Sequence, residues 1–115
     1  MVSNKKIFWT EHSKIKMRQY GLSAGKLLQV IRKPERKEKG IAPGTTAVMQ
    51  TRKVYASLKS IQVKKRLIPP GEIWLMYKDI KDIRNIISAW RYPGISKPGE
   101  SIPIPDDIRR ELSGI

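Results

Sequence analysis

The chain opens with polar residues around a three-residue apolar cluster, Ile7-Phe8-Trp9, which reads as a short strand or an extended lead-in. Thr10 follows with a hydroxyl suited to accept a backbone N–H of a first helical turn, and Glu11 suits the positive end of a helix dipole. A helix is predicted over 11–20, closed by Gly21, the residue that most readily takes the left-handed position after a helix. Its apolar stripe is thin (Ile15, Met17 and Tyr20), while Lys14, Lys16 and Arg18 make the remainder very basic. Ser23 is a second cap. Leu27, Leu28, Val30 and Ile31 then form one apolar face of a helix that ends before Pro34, because the residue preceding a proline is pushed out of the helical region.

Polar and turn-forming residues dominate 34–44, which reads as a charged loop. A first strand is predicted over 45–50. Residues 51–70 suit either a strand pair or a short helix over 54–61, followed by the Lys64-Lys65-Arg66 cluster and a Pro69-Pro70-Gly71 turn. The clearest signal is Glu72-Ile73-Trp74-Leu75-Met76-Tyr77, a run of aromatic and branched residues that predicts a strand. A connection over 78–83 leads to a return strand over 84–92, stopped by Pro93-Gly94. Apolar residues at consecutive positions in both strands imply cover on part of both faces. The remainder, 95–115, is rich in Pro and Ser and ends in a short helix over 106–112, acidic at its start and basic later. Two helices followed by strands give an α+β domain over 1–94 and a tail over 95–115: two N-terminal helices on an antiparallel sheet of three to four strands.

Charge changes this picture. The chain has 115 residues and a formal net charge of +14. Residues 1–66 hold 17 Lys and Arg against three acids, and residues 67–115 hold seven of each, so the whole excess lies in the first part. Such asymmetry points to a polyanionic partner, RNA or the ribosome above all, or to an acidic protein. Lys14, Lys16, Arg18, Arg52, Lys53, Lys64, Lys65 and Arg66 are the candidates for phosphate contact.

Other chemistries find no residues to carry them. With no cysteine and one histidine there is no disulfide framework, thiolate nucleophile or metal site, and no metal or cofactor is expected. The N-terminal apolar cluster is too short for a signal peptide, and no run reaches membrane-spanning length, so a cytoplasmic location away from membranes is expected. Glycine spacing fits no phosphate-binding loop, and no Ser/His/Asp triad is apparent. His12 is either a general acid or base or a histidine bonded to backbone at a helix start. Trp9, Trp74 and Trp90 offer rings for core packing or base stacking.

The segment Glu11-His12-Ser13-Lys14-Ile15-Lys16-Met17-Arg18-Gln19-Tyr20-Gly21-Leu22-Ser23, then Ile31-Arg32-Lys33-Pro34, resembles a family of small bacterial domains similar to BrnT-type and, more distantly, RelE/ParE-type toxins. The strand Ile86–Tyr92 with its Arg-Tyr-Pro ending resembles the family's last strand. The resemblance covers 7–34 and 72–93. It implies two N-terminal helices on a twisted antiparallel sheet, and a toxin of a toxin–antitoxin system or a non-toxic RNA-binding relative. An acidic antitoxin is then an expected partner. It also implies metal-independent endoribonuclease chemistry, in which Lys, Arg and Tyr activate the ribose 2′-hydroxyl and neutralise the phosphorane. Arg91 and Tyr92 stand where that family keeps such residues, with His12 as a further acid–base candidate. Neighbouring residues of a strand point to opposite faces, which sets Arg91 against Tyr92.

Overall fold

The first helix begins where its cap was expected. In the computed structural model, which describes residues 5–52 and 71–113, Thr10 accepts the Ser13 backbone N–H at 3.1 Å, and Gly21 takes φ 66° to end the helix. The elements are β1 (Lys6–Trp9), α1 (Glu11–Tyr20), α2 (Ala24–Arg32), β2 (Arg36–Lys39), β3 (Thr45–Arg52), β4 (Gly71–Ile80), β5 (Ile83–Tyr92) and α3 (Asp106–Ser113). The chain is thus α+β, as expected. The readings of 53–70, including Lys53, Lys64, Lys65 and Arg66, lie outside the described residues.

The sheet corrects the expected strand count. It has five strands in the order β1-β5-β4-β3-β2, and it is not wholly antiparallel, because β1 runs parallel to β5. The segment read as a charged loop over 34–44 contains β2, whose residues Arg36–Lys39 pair with Thr46–Met49. The hairpin is also longer than expected. β4 and β5 run on through Lys78–Ile80 and Ile83–Asn85 to a two-residue turn, Lys81-Asp82, with Lys81 at φ 55°. Asp79 and Arg84 stabilise this extension across the strands, with Arg84 Nε 2.7 Å from Asp79 Oδ1 and the guanidinium over the Tyr77 ring.

Two apolar clusters lie on opposite faces of the sheet. On the first, Leu27 and Val30 of α2 pack on Val48, Ile73, Leu75, Ile86 and Ala89. On the second, Ile108 and Leu112 of α3 close over Trp74, Trp90, Met76, Ala47 and Met49. Trp74 and Trp90 are cross-strand partners, fully buried and stacked with centroids 6.1 Å apart. Their rings serve the core, not base stacking. A register shift beside Met76 and Tyr77 lets Ile86 face the first cluster and Ser88 the second.

The tail is part of this second face. Buried Glu72 accepts from Trp74 Nε1 at 2.9 Å and from the backbone N–H of Ser96 at 2.8 Å. Arg36 lies over the Trp74 ring and donates to Ser96 Oγ and the Glu100 carbonyl. Trp90 Nε1 donates to the Pro103 carbonyl at 2.8 Å. Each of these polar groups therefore has a partner, without which its burial would destabilise the fold.

Candidate nucleic-acid interface

Once β1 ends at Trp9, α1 takes its place along the edge of β5. Thr10 Oγ1 makes the switch, donating to the Ile86 carbonyl at 2.7 Å while its oxygen caps the helix. In this position α1 borders both faces of the sheet. Met17 and Tyr20 pack on the α2 side, while His12, Lys16 and Gln19 turn toward α3.

The expected catalytic residues are placed apart. Arg91 donates from Nε to the Tyr20 carbonyl at 2.7 Å and from a terminal nitrogen to the Gly21 carbonyl at 3.0 Å, so it satisfies the C-terminal carbonyls of α1. Tyr92 packs with the opposite cluster, beside Trp90. His12 lies further along β5, with Nε2 3.1 Å from Ser88 Oγ and Nδ1 3.7 Å from Glu111 Oε1. The sequence showed no such Ser–His–carboxylate line, because its members lie 76 and 99 positions apart. Ser88 is fully buried and Glu111 is beyond hydrogen-bond reach of the ring, so no nucleophile is presented. Burial lowers the His12 pKa from 6.5, against the attraction of Glu111, and so favours the neutral ring.

Lys16 corrects another expectation. Its side chain is only 4 % exposed, and its ammonium donates to Asp107 at 2.7 Å, lies 3.0 Å from Glu111 and reaches Gln19 at 3.1 Å. Burial disfavours its charge, but the two carboxylates outweigh this and raise its pKa above 10.5. The hydrogen bond from Lys16 in turn lowers the pKa of Asp107 from 3.8. Lys16 therefore anchors α3 and does not face a phosphate.

The other cations of the helical layer face outward, except Lys26, whose ammonium donates to Gln50 Oε1 at 3.2 Å. Lys14, Arg18, Arg32 and Lys33 are exposed and Lys26 is half-buried, while the segment from Glu11 to Lys33 holds a single acid, Glu11. Lys14 and Arg18 border a shallow groove with Met17, Gly21, Leu22 and Ser23 at the turn between α1 and α2. Arg52 stands at the end of β3. Of the ten acids, Glu72 is held by Trp74 and Ser96, Asp79 by Arg84, Asp107 and Glu111 by Lys16, and Glu38 by Arg36.

A second exposed region went unnoticed in the sequence. At the hairpin end of the sheet Phe8 is 55 % exposed, Ile80 52 % and Ile83 43 %, beside exposed Lys6 and Lys78. Ile7-Phe8-Trp9 is an unbroken apolar run that gave no sign of it, although exposed and half-buried residues alternate along β1 in the structure.

Among the described residues no group of His, Cys, Asp and Glu has the arrangement of a metal site, and no helix is long and apolar enough to cross a membrane. Comparison with protein-family models, curated proteins and solved structures gives no match.

Proposed function

We propose that this protein binds RNA through its cationic helical layer and leaves the strand intact. The observation that carries the proposal is the exposed set Lys14, Arg18, Arg32 and Lys33 on a layer with one acid, in a chain of net charge +14. Such a surface exchanges condensed counterions for phosphate contacts, the main source of affinity for a polyanion. Binding without cleavage is supported by the separation of the catalytic candidates: Arg91 holds the end of α1, Tyr92 lies on the opposite face and His12 contacts a buried serine.

The second reading is a RelE-like toxin with metal-independent endoribonuclease activity, held by an acidic antitoxin. It rests on the resemblance of residues 7–34 and 72–93; the five-stranded sheet with β1 parallel to β5 is α+β but is not the antiparallel sheet of three to four strands that the resemblance implies. One incubation separates the readings. The purified protein is mixed with ribosomes and end-labelled messenger RNA in EDTA, and binding and cleavage are scored together. RNA retained at full length supports the proposal. Cuts at defined positions that vanish in a folded Arg91→Ala variant would establish the toxin-like enzyme. No association with RNA or ribosomes would refute both.

A further inference from the structure

The α3 face of the sheet is covered over only part of its length. The tail and α3 close over the Trp74–Trp90 end, while the hairpin end stays open. Strand register places the open residues in two adjacent rows on that face. Lys6, Ile83 and Ile80 are successive partners across β1, β5 and β4, and Phe8, Asn85 and Lys78 form the next row. Ile7 and Trp9 turn to the other cluster, which leaves Phe8 as the only aromatic ring here among the described residues. Asp79 and Arg84 pair on the opposite face, where Arg84 covers Tyr77, so neither row contains an acid.

A half-exposed aromatic ring on a flat sheet, flanked by lysines, is the chemistry by which unpaired bases are held. The ring stacks on a base, and the ammonium groups reach the phosphates on either side. Neighbouring strands lie about 4.8 Å apart and alternate strand residues about 6.8 Å apart, so the two rows span the repeat of an extended nucleotide chain. Ile80 and Ile83 add apolar ground for a further base or ribose.

Resting on the RNA reading above, we propose that this open sheet end is a platform for unpaired nucleotides, with Phe8 stacking a base and Lys6 and Lys78 contacting the adjacent phosphates. The ligand is therefore single-stranded RNA, since the bases of a duplex are already stacked on one another and present no face to Phe8.

The test is fluorescence anisotropy with a labelled 12-nucleotide oligouridine and with a blunt RNA duplex of the same length. Wild-type protein should bind the single strand more tightly. Phe8→Ala should weaken single-strand binding roughly 5- to 100-fold, the effect of losing one stacked base, and change duplex binding less than about twofold. Phe8→Tyr should retain single-strand binding, whereas Phe8→Leu, apolar but without a π face, should lose it. Melting curves confirm that each variant is folded. Unchanged single-strand binding by folded Phe8→Ala, or equal binding by Phe8→Leu and wild type, would overturn the platform while leaving the RNA reading intact. Failure of wild-type protein to bind either probe would overturn the RNA reading itself. Displacement of the oligonucleotide by polyglutamate, with an affinity that drops in Phe8→Ala, would assign the surface to an acidic protein and overturn the proposal.

Discussion

His12, Lys16 and Asp107 show how single side chains tie the last helix to the first. Half-buried His12 has its pKa lowered below 6.5, so protonation favours the unfolded chain. Its contribution to stability is complete above about pH 6.5 and is lost as pH falls from there through the folded value. Asp107, also lowered, contributes above its ordinary 3.8 and loses that contribution as pH falls through its folded value below 3.8. Lys16, raised, contributes below 10.5 and loses it as pH climbs through its folded value. The melting temperature should therefore decline as pH drops below about 6.5, and His12→Asn should remove that step; an unchanged step would assign it to another group. Lys16→Met should destabilise the fold by about 1–3 kcal/mol in urea denaturation, because it leaves two adjacent carboxylates without their cation. The partial exposure of Asp107 and Glu111 keeps this cost below that of a fully buried pair. A double-mutant cycle with Asp107→Asn should show coupling, and strict additivity would mean that the contact contributes nothing.

The elements hold through caps and through the two buried faces. Thr10→Ala removes both the cap of α1 and the hydrogen bond to Ile86, and should cost about 1–2 kcal/mol in chemical denaturation. Ile108→Ala, opening a void over Trp74 and Trp90, should cost about 2–5 kcal/mol, and a negligible change would show that α3 is not a core element. These elements differed in how far the sequence exposed them. Thr10, Gly21 and Ser23 are local signals, so both helices were readable to within a residue or two. Strand β2 was not, since Arg36-Lys37-Glu38-Lys39 has no apolar alternation; pairing with β3 and the packing of Arg36 on Trp74 make it a strand. The polar residues Lys78 and Asp79 suggested a connection, yet the Asp79–Arg84 pair carries the ladder to the turn. Nor could local pattern reveal the parallel contact of β1 with β5, which joins residues 77 positions apart. The same limit hid the candidate site. Exposed cations were legible as composition, but the internal engagement of Lys16 and Arg91 depends on contacts with α3 and with the end of α1.

Across the whole molecule, the two sheet faces divide the work. One carries α2, with α1 along the edge, and presents cations; the other is sealed by the tail at one end and open around Phe8 at the other. Among the described residues the buried charged side chains are Lys16, Arg36 and Glu72, so the surface keeps nearly the whole net charge of the sequence. The most direct test of this account is the salt dependence of single-stranded RNA binding, measured by anisotropy in EDTA for wild-type protein and for Lys14→Gln/Arg18→Gln, with Lys97→Gln as a control on the tail. The account predicts a linear fall of log affinity with log salt, a slope shallower by about 0.7 for each contacting cation removed from the helical layer, and no change at Lys97. Affinity insensitive to salt, or an equal loss at Lys97 and at the helical pair, would contradict it.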